Sequence, residues 1–355
     1  MEQTPAQPTD TISTTADAPT QRPIVAIVCG GDSSEHDVSL RSAKGIDSFL
    51  DHDRYETYVV EITGLTWEAH LPDGSRATVS RDDFAFTLPS GRRVKPDFAY
   101  ITIHGTPGEN GILQGYFDLM RLPYSTSGVL VEAMTFNKFT LNQYLKGFGV
   151  SVAESLVVRR GNEDLVTDDE ILQHIGLPCF VKPNAGGSSF GVSKVKTLDE
   201  LRPAIHAAMR ESDEVMVEAF MPGTELTCGC YKVAGKSVVF PVTEVVSHNE
   251  FFDYRAKYNN ESDEITPARI PDELRDRVQA ITSTIYDILG CSGLIRIDYI
   301  VTSAEGADGT PRQRINMLEI NTTPGMTATS FIPQQVRAAG LDIKDVLADI
   351  IDDKL

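Results

Sequence analysis

Apolar positions along this chain recur with two periods, and their alternation marks the elements. Ile24 to Cys29 (IVAIVC) is apolar without a break, which suits a strand buried on both faces of a parallel sheet. Gly30-Gly31 and the polar run DSSEHD follow, and VSLRSAKGIDSFL then carries helical spacing, with Ser34 as N-cap and Asp37 completing a capping box. Tyr55 to Ile62 and Asp97 to Ile103 read as further strands, the second ending at His104-Gly105. GTPGENG enters another helix, and LPYSTSG reads as a short strand leading out of this first part. Leu130 to Phe148 has the spacing of one helix, Ser155 to Val158 of a strand, and Asp168 to Ile175 of a short helix. Cys179 to Lys182 is a strand that runs into PNAGGSSFG and returns as VSKVKT. Leu198 to Glu211 is helical, Val215 to Met221 a strand, and Leu226 to Val233 with Ser237 to Val246 a hairpin around Ala234-Gly235. The next segment, HNEFFDYRAKYNNESDE, has no period and reads as a lid. Asp272 to Leu289 is a clear helix, and two helices close the chain.

The most informative stretch runs from Gly293 to Ser330. Successive strand side chains point to opposite faces, so Arg296 and Asp298 share one face of GLIRIDYIVTS while Ile295, Ile297 and Tyr299 take the other. In RINMLEIN, Glu319 and Asn321 lie together, with Leu318 and Ile320 sent to the core side. The Gly- and Asp-rich AEGADGTP between the two segments is a hairpin connection. The pair thus gathers Asp298, Glu319 and Asn321 as a cluster of oxygens. Uncompensated acids on an apolar ribbon repel one another and cost desolvation energy. A hard divalent cation offsets that, since magnesium takes carboxylate and amide oxygens while keeping positions for water and phosphate. The alternative is an exposed polar face in which Arg296 pairs with Asp298 or Glu319. NTTPG, directly beyond Glu319, makes a sharp turn that can aim a backbone N-H, such as that of Gly325, at a reacting oxygen.

Composition narrows the function classes. With 355 residues, 41% apolar and 23% charged, the chain has room for two or three domains of ordinary globular balance. A net charge of -19 argues against nucleic acid or an anionic membrane as partner, and no apolar run approaches the roughly 20 residues of a membrane span. Residues 1–23, rich in Pro, Thr and Ala without an apolar core, read as a disordered tail rather than a signal peptide. Five cysteines without a C-x-x-C pair read as free thiols of a reducing cytoplasm. Glu35 and His104 fall at the carboxyl ends of predicted strands, where ligands of open α/β sheets gather. The Gly- and Ser-rich PNAGGSSFG offers backbone N-H groups to phosphate, although it is neither a Walker A motif nor distinguishable by itself from a mobile hairpin loop.

Taken in order, GGDSSEHDVS, HGTPGENGILQG, KPNAGGSSFG, FDYRAKY, RIDY and EINTTPGMTATS resemble the motifs of the D-alanine-D-alanine ligases of the ATP-grasp superfamily, from Ile24 nearly to the end. The resemblance implies an α/β chain of three domains in the ATP-grasp architecture: an open parallel-sheet substrate domain at 24–126, a central domain at 127–217 and a metal-binding domain at 218–355. It implies ATP-dependent joining of two D-alanines through an acyl phosphate for peptidoglycan synthesis, in a cytoplasmic homodimer. Lys138 and Lys182 are then expected on ATP phosphates, Glu218 and Glu225 on adenine or ribose, and Ser188 over the phosphates. Asp298, Glu319 and Asn321 are expected on two magnesium ions, or manganese in their place. Arg296 and the Gly325 N-H are expected at the oxyanion, Glu35 on the first ammonium and His104 near its carboxylate. Ser330 is expected on the second carboxylate, Lys257 on the transferred phosphoryl group, and Tyr258 as a link through Ser188 to Glu35 that favours an amine over D-lactate. The chain departs from the commonest pattern at Asn137, Ala185, Gly186 and Ala219, which bears on nucleotide affinity and loop closure. Ligases that join D-alanine to D-lactate or D-serine, and a non-catalytic nucleotide-binding homologue, are the competing readings.

Overall fold

The computed structural model describes residues 22–187, 190–247, 262–305 and 311–355. Its first sheet holds Ile24–Gly30 (β1), Glu56–Thr63 (β2), Thr66–His70 (β3), Arg76–Thr78 (β4) and, after the small ribbon Phe86–Thr87 (β5) and Arg93–Val94 (β6), Phe98–Ile101 (β7). The order is β4-β3-β2-β1-β7, with β1 parallel to β2 and β7 and an antiparallel edge at β3 and β4. The unbroken apolar run has a simple outcome: Ile24, Ala26 and Val28 enter one core, and Val25, Ile27 and Cys29 the other. Helix His36–Phe49 (α1) packs on the second of these faces. The expected Ser34 cap is absent. Glu35 occupies the N-cap, no side chain caps the helix, and Ser33 Oγ instead receives the Glu35 N-H. Helix Ile112–Met120 (α2) follows the glycine loop, and the expected strand near Tyr124 is a single bridge to Ala99.

The helix expected over 130–148 is two, Val129–Phe136 (α3) and Lys138–Lys146 (α4). Asn137 leaves helical conformation and caps α4 by accepting the Thr140 N-H, while Lys138 N-H is drawn to the Asn184 carbonyl. An antiparallel sheet of Ser155–Arg159 (β8), Cys179–Pro183 (β9), Ser193–Val195 (β10) and Glu214–Ala219 (β11) follows, in the order β10-β9-β11-β8. Its core is closed by Asp168–His174 (α5) and Leu198–Ala208 (α6). The expected domain step at 217/218 falls inside β11.

The third sheet contains Thr224–Val233 (β12), Lys236–Val239 (β13), Thr243–Ser247 (β14), Ser262–Ile265 (β15), Gly293–Glu305 (β16) and Pro311–Asn321 (β17). Its order is β15-β14-β12-β16-β17, with β13 also on β12. The return strand expected over 237–246 is thus split in two, at a stretch that contains Pro241, whose nitrogen has no proton to donate to a ladder. Asp272–Leu289 (α7) packs on this sheet against Ile295, Ile297 and Tyr299, while Phe331–Ala338 (α8) and Ile343–Asp352 (α9) join it to the first sheet's core. Buried Gln335 fastens α8 by accepting the Gly229 N-H and donating to the Thr227 carbonyl. The described cysteines are all free and mostly buried, and burial pushes the thiols of Cys29, Cys228, Cys230 and Cys291 up to about 12. No described helix is long and apolar enough to cross a membrane.

Gly290 and Gly293 both adopt positive φ, 66° and 70°, yet a methyl on Gly290 meets open space while one on Gly293 lies 1.8 Å from the Ser125 carbonyl oxygen. Gly290→Ala should therefore cost about 1 kcal/mol and Gly293→Ala more than about 2 kcal/mol in denaturant unfolding, and equal losses would refute the packing of residue 125 on the start of β16.

Candidate active site

Two cavities share one wall. The first, about 470 Å³, lies between the second and third sheets and is lined by Lys138, Lys182, Glu218, Glu225, Asp298 and Glu319 over an apolar floor that includes Phe180, Phe220, Ile300 and Leu318. The second, about 600 Å³, is lined by Glu35, His104, Glu109, Arg296, Asn321, Gly325 and Ser330, among others. Lys138, Gly186, Gly187 and Glu319 line both, so the cavities meet at these residues.

The register of β16 with β17 makes the junction. Arg296 lies opposite Asn321 and Asp298 opposite Glu319, which places the four polar side chains on one face with Ile295, Ile297 and Tyr299 buried on the other. The pairing then slips: Tyr299 faces Met317, leaving Leu318 as an extra residue in a bulge. This corrects the expectation for Leu318. The bulge sends it to the first cavity, and Met317 takes the core position instead.

Asp298 is heavily engaged. Arg296 donates to it in a fork, Nε to Oδ1 at 2.9 Å and a terminal nitrogen to Oδ2 at 2.8 Å. The Thr227 hydroxyl donates to Oδ1 at 2.5 Å and Asn321 Nδ2 to Oδ2 at 3.2 Å. A carboxylate has about four lone-pair positions, so these donors fill them. Burial alone would lower the Arg296 pKa, but Asp298, with Glu319 and Glu264 behind it, outweighs burial and raises it. Two carboxylates and an amide on adjacent strands remain a donor set that suits a hard divalent cation. Because its lone pairs are taken, Asp298 can ligate such a cation only if one of its present donors lets go.

In the first cavity Lys182, on β9, donates to Glu218 Oε2, on β11, at 2.6 Å, and both are buried. Lys138 donates to the Gly186 carbonyl at 2.6 Å, anchoring the helix to the glycine loop. Asn137 does more than cap: it accepts from Asn184 and donates to Glu214, beside which an aspartate would be repelled. Ala185 bridges Asn137, and Glu225 sits between Val245 and Ile300 in register.

In the second cavity Glu35 lies against the glycine loop so closely that a methyl on Gly187 would fall 2.3 Å from Oε2. His104 Nε2 contacts Ser42 Oγ at 3.3 Å. Burial lowers the His104 imidazole below its ordinary pKa, outweighing Glu35, which raises it, and Arg296 adds to the fall. Ser330 Oγ receives the Thr327 N-H at 3.1 Å and lies 3.0 Å from where a methyl on Gly325 would stand. Ser188, Lys257 and Tyr258 lie outside the described residues.

Glu109 and Glu264 were not singled out by their sequence context. Glu109 Oε2 accepts the Gly105 N-H at 2.7 Å and Oε1 the Thr323 hydroxyl at 2.8 Å. Burial, with Glu35 adding to it, raises its carboxyl from 4.5 to about 7. Glu264 accepts from Gln334 at 2.6 Å, and burial raises its pKa against the opposing pull of Gln334 and Arg296. The only sequence signal for Glu109 was its place in the loop after His104; nothing marked Glu264.

Comparison with known proteins places the chain in a family. A family model described as the D-ala D-ala ligase N-terminus matches residues 24–127, and one described as the D-ala D-ala ligase C-terminus matches 144–352. A D-alanine-D-alanine ligase of Phocaeicola vulgatus is 67% identical over 330 residues, 93% of this chain and 98% of that protein. Among solved structures, the VanG D-Ala:D-Ser ligase of Enterococcus faecalis is 31% identical with a TM-score of 0.81, covering 94% of this chain and 100% of that one. A D-alanine-D-alanine ligase of Bacillus anthracis complexed with ATP is 26% identical with a TM-score of 0.70, covering 94% of this chain and 96% of that one.

The raised Glu109 carboxyl has a stability consequence with a definite sign. Between pH 4.5 and about 7 the folded protein binds more protons at Glu109 than the unfolded chain, so this group's contribution falls as pH rises through that window. Glu109→Gln should gain on the parent by about 1–3 kcal/mol between pH 5 and pH 8 in urea unfolding, and parallel pH profiles would show that the carboxyl is not held neutral.

Proposed function

The chain belongs to the D-alanine-D-alanine ligase family, and from that premise we propose that it joins two D-alanine molecules into D-alanyl-D-alanine, cleaving ATP to ADP and phosphate, to supply a peptidoglycan precursor. The observation that carries the reading is the meeting, at Glu319 and Lys138, of a lysine-bearing cleft with an apolar floor and a polar cavity holding Glu35, Glu109 and the Arg296 guanidinium. A nucleotide needs the first, and two zwitterionic amino acids need the second.

Lys138 and Lys182 hold the phosphates, for which Lys182 exchanges its contact with Glu218. Glu218 and Glu225 receive adenine and ribose groups. Asp298, Glu319 and Asn321 hold two magnesium ions, which when bound neutralise phosphate charge. Glu35 takes the ammonium of the first D-alanine and His104, kept neutral by burial, lies beside its carboxylate. That carboxylate attacks the terminal phosphorus, giving the acyl phosphate and ADP. The amine of the second D-alanine, its carboxylate held at Ser330, then attacks the carbonyl carbon, and the proton it gives up leaves on the departing phosphate. Arg296 and the Gly325 N-H meet the oxyanion of the tetrahedral intermediate, which collapses with loss of phosphate. The family resemblance assigns Ser188 and Lys257 to the phosphate groups and Tyr258 to the preference for an amine over a hydroxy acid. The resemblance also supports a cytoplasmic homodimer whose chain forms three domains. The departure at Asn137 is accommodated by its contacts with Asn184 and Glu214, while Ala219 lines the nucleotide cleft without a charge.

An assay of ADP release with magnesium and D-alanine as the sole amino acid tests this. The expected result is release that depends on D-alanine, yields one dipeptide per ADP, and is not raised by D-lactate or D-serine. Absence of release with D-alanine alone, or release only with D-serine or D-lactate added, would overturn the choice of acceptor.

A further inference from the structure

The ligand-bearing end of the β16-β17 hairpin is braced from one side by the segment that opens α3. Ser127 Oγ donates to the Ser292 carbonyl at 3.1 Å and receives the Ser292 N-H at 3.0 Å, directly before β16 begins. The Ser125 carbonyl closes on Gly293, where no side chain fits. On the other strand of the same hairpin end, the Thr322 hydroxyl donates to Glu132 Oε2 from the residue next to Asn321. Glu132 is fully buried on α3, and its Oε1 has no hydrogen-bond partner among the described residues. The C-terminal Lys354 covers this segment, donating to the Thr126 carbonyl at 3.2 Å.

A carboxyl in that place touches neither cavity, for Glu132 lines neither the nucleotide cleft nor the polar one. Burying it costs free energy, and burial outweighs what the Thr322 hydroxyl and the Ser127 backbone return, a poor exchange if stability were its purpose. Its contact with the Thr322 hydroxyl reaches the turn between Asn321 and Gly325, and the backbone of Ser127, the residue that braces the other strand, bears on the same carboxyl. We propose that Glu132 is a positioning residue: through the Thr322 hydroxyl it sets the Asn321 amide and the turn to Gly325 against Arg296 and Asp298, while the Ser127-Ser292 contacts hold the opposite strand in register. This rests on the reading of Asn321 as a cation ligand and of Gly325 as an oxyanion donor given above. Burial raises the Glu132 carboxyl well above its ordinary pKa, outweighing the Thr322 hydrogen bond, and glutamine keeps its shape and an oxygen that can accept from the Thr322 hydroxyl.

Two variants break the contact from opposite ends, Glu132→Ala and Thr322→Val, and Glu132→Gln preserves it. Affinity for Mn²⁺ in the presence of ADP, followed by the loss of the free-ion paramagnetic resonance signal, should fall about tenfold in both broken variants and stay within about twofold of the parent in Glu132→Gln. In ligation, kcat per folded molecule, with the folded fraction read from circular dichroism, should fall with the broken contact and recover in Glu132→Gln, while KM for D-alanine moves less than about twofold. Folded Glu132→Ala and Thr322→Val proteins that bind Mn²⁺ as the parent does would overturn the proposal. Should Glu132→Ala fail to fold, parent-like Mn²⁺ affinity in Thr322→Val overturns it by itself. A parent that binds Mn²⁺ with ADP yet makes no dipeptide would instead refute the ligase reading and leave the positioning role standing.

Discussion

The structure depends on one pairing, the fork between Arg296 and Asp298 on the polar face of β16. Side by side on antiparallel strands, Asp298 and Glu319 repel each other, and both are drawn partly out of water. The guanidinium offsets that repulsion in the free protein, and its own charge is held by the same acids. Removing either partner would strand a buried charge, which is costlier than never having placed it there. Around this pair the fold adds supports from separate elements: the Thr227 hydroxyl from β12, the Asn321 amide from the strand end, and Gln335 from α8, which ties β12 in place.

The bulge at Leu318 converts that pairing into a junction. Without it, strict alternation would turn Leu318 to the core; with it, an apolar side chain joins the first cavity and Glu319 stands where both cavities open. The chain carries a net charge of -19, yet its binding cavities are lined with Lys138, Lys182 and Arg296, and burial raises the carboxyls Glu109 and Glu264 toward neutrality. Local composition thereby gives an acidic protein two cavities suited to polyanionic and zwitterionic ligands, as the proposed reaction requires. The glycine loop packs on Glu35, so the phosphate side and the amino-acid side are in contact before any ligand arrives.

Much of this was legible because it is periodic. The alternation in RIDY and EIN placed Arg296, Asp298, Glu319 and Asn321 on one face, and the structure has them there. The unbroken IVAIVC run was equally readable, its residues dividing between two cores. What escaped has a common physical origin in contacts far along the chain. A bulge leaves no mark when the extra residue is another apolar one, so Leu318 was misplaced. The break at Asn137 is made by Asn184 and Thr140, and nothing in the local FNK pattern breaks a helix. Glu109 and Glu132 looked like ordinary loop and helix acids, because only tertiary burial reveals what a carboxyl faces. The lid residues Lys257 and Tyr258 rest on motif resemblance alone.

The central claim is that two adjacent strands aim Asp298 and Glu319 at the cation that serves the nucleotide. Dipeptide formation by Asp298→Ala and Glu319→Ala, each checked for a parent-like circular dichroism spectrum, addresses it most directly. Turnover at least about a hundredfold below the parent in both folded variants is the result this account predicts. Dipeptide made at the parent rate by either one would contradict it.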